Sequence, residues 1–178
     1  MAATPAVEFL VRSGIAHRLY EYVHDPAASY GREAAEAIAT EPDRVFKTLV
    51  TAVAGDLVVA VIPVTAELDL KATAHALGVK KVTMAEPAVA ERSTGYVVGG
   101  MSPFGQKRRL STIVDESASG WPTVFVSGGR RGLELELAPA DLVSLTGASL
   151  APIARVLKRR SRHANTRQGR SPRGLEDH

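Results

Sequence analysis

Residues 45–64 limit the possible folds more than any other part of the chain. Val45-Phe46-Lys47-Thr48-Leu49-Val50 begins one apolar, β-branched run, and Leu57-Val58-Val59-Ala60-Val61-Ile62 forms a second, with Gly55-Asp56 between them. Two such runs around a short Gly-Asp break predict an antiparallel hairpin with strands over 45–54 and 57–64. The second run is apolar almost throughout, as expected of a central strand covered on both faces.

The other elements fit around that hairpin. Thr4-Pro5 supplies a capping hydroxyl and a proline at the first helical position, and Val7, Leu10 and Val11 give one apolar face. Further helices are predicted over 31–39, 69–77, 87–92, 139–146 and 149–160. Further strands are predicted over 16–24, 79–84, 111–115, 123–126 and 133–137. In the last of these, Leu133, Leu135 and Leu137 alternate with Glu134 and Glu136, which reads as one buried face. Strands outnumber helices and hairpins recur, so the expected class is α/β in the α+β sense, with a mixed, largely antiparallel sheet. No internal repeat is present.

Composition then excludes several chemistries. The chain has 178 residues and no cysteine, so it holds no disulfide, thiolate metal site or cysteine nucleophile. Its five histidines lack metal-ligand spacing, so no metal and no cofactor are expected. Residues 1–14 do not read as a secretory signal, and no apolar stretch reaches transmembrane length, so the expectation is a cytoplasmic protein without membrane contact. Charge divides the chain in two. Seven of the 22 Lys and Arg but only two of the 19 Asp and Glu follow residue 157. Residues 1–157 are therefore expected to be one slightly acidic domain, and 158–178 a basic, disordered tail suited to nucleic acid or simply to solubility.

Four segments could carry chemistry, and each also has an ordinary reading. Lys47-Thr48 sits in an apolar strand, where a lysine can be partly desolvated and aimed at an anion or carbonyl; it can equally be a surface lysine. Gly99-Gly100-Met101-Ser102-Pro103-Phe104-Gly105 could present unpaired N–H groups to a phosphate or oxyanion, or be a tight turn. Ser127-Gly128-Gly129-Arg130-Arg131-Gly132 suits a phosphate-bearing ligand, or a solvated hairpin. Ser127 lacks both a base and a nucleophile elbow, so it is a poor nucleophile. Gln106-Lys107-Arg108-Arg109 could attract a polyanion, or be a solvated charge run.

Taken together and in order, these segments resemble the YbaK/EbsC family, and within it the bacterial Cys-tRNA(Pro) deacylases. The resemblance runs from about Thr4 to Ala154. It rests on Thr4-Pro5-Ala6-Val7, Tyr22-Val23-His24-Asp25-Pro26, Val45-Phe46-Lys47-Thr48-Leu49 and Leu68-Asp69-Leu70-Lys71, then on Arg92 through Lys107, Val126-Ser127-Gly128-Gly129 and Arg131-Gly132-Leu133-Glu134. It implies a sheet curled into a partial barrel with peripheral helices, as in the editing domain of prolyl-tRNA synthetase. It implies trans-editing hydrolysis of misacylated tRNA, with aminoacyl-tRNA(Pro) as partner and prolyl-tRNA synthetase as a second one. The family's essential lysine falls on Lys47, its Gly-rich substrate loop on Gly99 to Gly105, and its Ser-Gly turn on Ser127-Gly128. Tyr22 and Tyr30 fall near aromatic pocket positions. Close relatives often carry aspartate where this chain has Glu134, which is one methylene longer.

The resemblance also implies a mechanism. The substrate's own thiol attacks its carbonyl and releases a thiolactone, so the enzyme needs no nucleophile and contributes positioning and electrostatics. Gly100 and Met101 N–H groups are expected to face the ester carbonyl or the terminal adenosine. Lys47 is expected to contact the carbonyl, ribose or phosphate, and Tyr22, Tyr30, Thr48, Gly99, Ser102, Pro103, Phe104, Gly105, Ser127, Gly128 and Glu134 are expected to bind substrate. Two alternatives remain at this point: a deacylase for another aminoacyl-tRNA such as Ala-tRNA(Pro), and a tRNA-binding module without catalysis.

Overall fold

The computed structural model describes residues 3–157; the basic tail expected over 158–178 lies outside them. The chain begins with helix α1 (Pro5–Ser13), strand β1 (Arg18–Glu21) and helix α2 (Tyr30–Ala37). The central hairpin, β2 (Phe46–Val53) and β3 (Asp56–Pro63), comes next. It is followed by β4 (Ala66–Leu68), α3 (Leu70–Leu77), β5 (Thr83–Met84) and α4 (Pro87–Thr94). The chain then forms β6 (Ser111–Asp115), β7 (Val124–Ser127), β8 (Leu133–Leu137), α5 (Pro139–Thr146), β9 (Ser149–Ala151) and β10 (Ala154–Val156).

The expected hairpin is the spine of the larger sheet. β2 and β3 pair antiparallel from Phe46↔Pro63 to Val53↔Asp56. The two linking residues are Ala54 and Gly55, one position earlier than the Gly-Asp break suggests. Both have positive φ, 48° and 88°, which a two-residue turn matching the strand twist requires. β3 is central, as its composition predicts. The strand order is β5-β2-β3-β6-β9, with β3–β6 and β6–β9 parallel. Val59 and Val61 enter one apolar cluster with Leu10, Leu135 and Leu142, while Ala60 and Ile62 enter another with Ile113 and Ile153. Complete burial of a valine, leucine or isoleucine side chain stabilises the fold by roughly 1.5–3 kcal/mol.

A second sheet, β1-β8-β7, is antiparallel throughout, and β10 pairs with β4. A parallel bridge between Val45 and Phe125 joins the start of β2 to β7, so the two larger sheets curl around one core as an open, partial barrel. The helices lie outside.

The C-terminal expectation requires correction. Residues 149–160 were expected to be helical, but over the described part of that segment, 149–157, the chain forms β9 and β10 on either side of Pro152. A proline inside the segment removes a helical hydrogen bond and clashes with the preceding turn. Asp115 Oδ1 takes up the freed backbone, accepting from Ile153 N at 3.0 Å and Ala154 N at 2.9 Å. The strands expected over 16–24 and 79–84 are also shorter, Arg18–Glu21 and Thr83–Met84, the stretches that pair in register with β8 and β2.

Candidate active site

The pairing pattern of β2 creates the site. Val45 O accepts from Val64 N at 2.8 Å, and Val50 O accepts from Ala85 N at 3.0 Å. Peptide groups alternate sides along a strand, so odd-numbered residues of β2 bond to β3 and even-numbered ones face the opposite edge. That edge is covered by β5 at Thr51 and Ala52 and touched by β7 at Val45. Between those contacts, the Thr48 N–H and C=O lie on an edge that no described strand covers.

A cavity of about 370 Å³ opens along this gap. Its wall is mostly apolar, and Lys47, Thr48, Ser127 and Glu134 are among the few polar groups that line it. The Lys47 side chain has no ion pair or hydrogen bond among the described residues. Its partial burial pulls the ammonium below its ordinary range, and the nearby charge of Glu67 pushes it back up. The Thr48 hydroxyl is buried and has no hydrogen-bond partner among the described residues. A buried hydroxyl without a partner costs about 1–3 kcal/mol, so the fold retains an unmet polar demand here.

Glu134 closes the opposite wall. It sits in the middle strand of the β1-β8-β7 sheet, facing Ser127 on one side and Tyr20 on the other. It is 8% exposed, and burial pushes its carboxyl up to about 8, offset in part by a hydrogen bond with Tyr22. Tyr22 does not line the cavity. Its phenol is raised by burial first and by the neighbouring Glu134 second, so it stays neutral beside that carboxyl.

The rim is a set of side-chain clasps. Arg131 donates to Val98 O from Nε at 3.1 Å and Nη2 at 2.7 Å, and its guanidinium carbon lies 4.9 Å from the Tyr30 ring centroid. The His24 ring lies tilted against that of Tyr30 with 5.0 Å between their centroids, and its Nδ1 meets Glu33 Oε2 at 2.6 Å. Gly99 has φ 85°, and a Cβ there would stand 2.7 Å from the Tyr30 ring, so only glycine allows this approach. Nothing in the sequence joined Arg131 to Tyr30 and Val98. Both ends of that clasp lay in segments already marked, but their meeting is tertiary. Met84 and Ala85 also line the cavity, and no sequence signal marks them.

The structure thus gathers Lys47, Thr48, Tyr30, Gly99, Met101, Ser127 and Glu134 at one cavity, with Tyr22 behind Glu134. The remaining expected residues are elsewhere or already engaged. Gly100 N–H is spent on Val97 O at 3.0 Å, whereas Met101 N–H makes no hydrogen bond among the described residues. Gly128 donates to Leu133 O at 2.8 Å and packs on the Leu133 side chain. Ser102 is fully buried, and its Oγ accepts from Phe104 N at 3.3 Å. Pro103, Phe104 and Gly105 border a second cavity of about 310 Å³. There Phe104 stacks on Phe9, and Gly105 lies against the first turn of α1, where a Cβ would come within 2.5 Å of Pro5 O. The glycines of this loop do mark close backbone approach, but part of that approach is to the protein itself.

No helix among the described residues is long and apolar enough to cross a membrane, and no group of three or more of their His, Asp and Glu side chains could hold a metal ion.

Comparisons with known proteins converge on one family. The model of the aminoacyl-tRNA editing domain matches residues 24–145. The chain is 40% identical over 153 residues to EbsC of Enterococcus faecalis, which carries the assignment of a Cys-tRNA(Pro)/Cys-tRNA(Cys) deacylase; the match spans 84% of this chain and 92% of that protein. A solved structure assigned as a trans-editing enzyme for prolyl tRNA synthetase superposes with a TM-score of 0.77 at 26% identity, over 87% of this chain and 99% of the other. A hypothetical protein of known structure gives the same TM-score, 0.77, at 28% identity, over 85% of this chain and 100% of the other.

Proposed function

Because the chain belongs to the aminoacyl-tRNA editing domain family, we propose that it acts in trans as a deacylase and removes cysteine from Cys-tRNA(Pro). The observation that carries this reading is an unpaired lysine beside an open strand edge, in an apolar cavity that offers no enzyme nucleophile. Ser127 Oγ is held by Gly129 N–H at 3.2 Å, and none of the described histidines lines the cavity. We therefore assign the nucleophile to the substrate rather than to the chain, with an oriented water as the alternative that serine- and alanine-charged tRNA test.

The substrate's sulfur attacks its own carbonyl carbon, and the bond from that carbon to the ribose oxygen breaks. The thiol proton ends on the ribose hydroxyl, so the products are free tRNA and a cysteine thiolactone, which water opens. The Lys47 ammonium and the Thr48 N–H, from neighbouring residues that both line the cavity, stabilise the carbonyl oxygen as it gains charge. Met101 N–H adds a third donor. Glu134 receives the α-ammonium of the aminoacyl group. An ammonium beside a buried carboxylate favours its ionised form, so binding lowers the proton affinity of Glu134. Tyr30 and Gly99 shape the entrance for the terminal nucleoside. Prolyl-tRNA synthetase is the enzyme whose errors supply the substrate.

The test is a deacylation panel on tRNA(Pro) charged with cysteine, serine or alanine, with and without the synthetase. Cysteine should be removed at least about ten-fold faster than serine, because the two side chains are equally close to the carbonyl and the thiol is much the better nucleophile. Equal rates for cysteine and serine would reject the substrate-thiol route, and a preference for alanine would move the specificity to a different substrate.

A further inference from the structure

The basic run Gln106-Lys107-Arg108-Arg109 takes no part in the cavity described above, yet the fold gives it a definite place. Lys107 N donates to Thr94 O at 2.9 Å and Arg108 N to Ser93 O at 3.0 Å. The run is therefore strapped across the C-terminal end of α4, beside Arg92 in its last turn. Arg109 lines the second cavity together with Arg12 of α1. Arg12, Arg92, Lys107, Arg108 and Arg109 are all exposed, and none of them forms an ion pair among the described residues. Among the described Lys and Arg only Arg44, Arg130 and Arg155 have a carboxylate partner, so the strap is distinguished by how closely its cations follow one another and not by their lack of ion pairs. Two carboxylates are placed beside these cations: Glu8 lines the second cavity with Arg12 and Arg109, and Glu91, next to Arg92, accepts from Val98 N–H at 3.0 Å.

Five unpaired cations gathered on a domain that carries fifteen Lys and Arg against seventeen Asp and Glu form a local positive field, not a general one. The strap also lies close to the cavity mouth. Val98 lines the cavity and is four residues from Thr94, a separation of at most about 14 Å for a fully extended chain. Pro87 and Ala90 of the same helix line the cavity from its other end.

We propose that this strap, Arg12, Arg92 and Lys107 to Arg109, is the dock for the phosphate backbone of the tRNA acceptor end. It holds the polyanion while the 3′ ester enters the Lys47 cavity. This rests on the editing reading for the identity of the RNA, and the test separates the two. The triple charge reversal K107E/R108E/R109E and the milder K107A/R108A/R109A are compared with the wild type in the full-length chain. Two substrates are used: Cys-tRNA(Pro), and cysteine esterified to a CCA trinucleotide that lacks the acceptor stem. Binding of uncharged tRNA is measured alongside.

For the reversal, kcat/KM on Cys-tRNA(Pro) should fall at least about ten-fold, and the slope of log kcat/KM against log salt should become shallower by about 2, as expected when two to three phosphate contacts are lost. The alanine variant should show a smaller change in the same direction. Trinucleotide hydrolysis and thermal midpoint should stay at wild-type values. An unchanged rate and salt slope on Cys-tRNA(Pro) would overturn the dock, and so would an equal loss on both substrates. If the wild type hydrolysed neither ester, the editing reading would fall, and the dock would still stand or fall on whether the variants weaken binding of uncharged tRNA.

Discussion

Glu134 and Glu136 lie two residues apart on β8, on the same side of the strand, and their surroundings could hardly differ more. Burial pushes Glu136 upward too, but hydrogen bonds from Thr123 and Tyr20 and the charge of Arg44 outweigh it and hold the carboxyl below its ordinary range. Tyr20 Oη donates to Glu136 Oε2 at 2.7 Å and Thr123 Oγ1 to Oε1 at 2.6 Å. Arg44 completes the cluster, bonding to Thr123 and lying against Trp121 and Phe125. At the other end of the strand, Glu134, Lys47 and Thr48 have almost no such partners. One end is a finished strut. The other is a set of polar groups whose demands the protein leaves open, as expected where a substrate is to meet them.

The largest effect expected from this contrast is at Lys47. Lys47→Ala should lower deacylation kcat/KM by about 100-fold or more, the range for losing one preorganised donor to a developing oxyanion. Its thermal midpoint should be equal to or above wild type, since an unpaired, partly desolvated charge is removed. Near-normal turnover in Lys47→Ala would dissolve the distinction between the two ends.

Glu134 comes next, and its sign is opposite to that of an ordinary carboxylate. Its folded-state pKa, about 8, is raised above that of the unfolded chain. The native state therefore binds the extra proton, and the stability this group contributes is fully present at acid pH. It is lost as pH rises from about 5 to 8, with a slope on the order of 1 kcal/mol per pH unit. Glu134→Gln should remove this alkaline loss from a denaturant-unfolding pH series while reducing affinity for the aminoacyl ester. Glu136 should behave inversely. Its contribution is present above the unfolded pKa and lost as the solution is acidified. A wild-type stability curve that is flat between pH 5 and 8 would contradict the assignment of Glu134.

Arg44→Ala should reverse the pattern seen at Lys47. It removes a half-buried cation with hydrogen bonds and two aromatic neighbours, so unfolding free energy should fall by about 1–3 kcal/mol. The kcat/KM of the folded variant should stay within about two-fold of wild type, because no part of this cluster borders the cavity. Urea denaturation and single-turnover deacylation are the two measurements.

What was legible in the sequence divides along a similar line. The hairpin of β2 and β3, the capped α1 and the alternating β8 were readable because each depends on residues near one another in the chain. Lys47 was visible as an anomaly, a charge in an apolar strand. What made it a site candidate was not visible: the uncovered edge at Thr48 exists because β5 stops at Thr51 and β7 only touches Val45. The same blindness affected residues 149–157, where the pull of β6 and Asp115 on the backbone decided the structure against an apparent helix. The glycines from 99 to 105 announced close packing, but only the fold shows Gly99 meeting Tyr30 and Gly105 meeting α1.

The smallest effect expected is also the finest test of how open the Lys47 end is. Glu67 is the one charge that counters the burial of Lys47, and it does so from β4 while paired with Arg155 at 3.1 Å. That pair is largely exposed, at 53% and 64% for the two side chains, so breaking it should change stability by no more than about 0.5 kcal/mol. Glu67→Gln also removes the charge that favours the protonated lysine. The Lys47 pKa then moves further down, and the alkaline limb of the kcat/KM profile should begin at a lower pH, with the acid limb and the thermal midpoint unchanged. If the alkaline limb did not move, the group titrating there would not be Lys47 under the influence of Glu67. If both limbs moved, the substitution would be acting through the fold, and the lysine would be less isolated from its surroundings than the comparison with the Arg44 cluster requires.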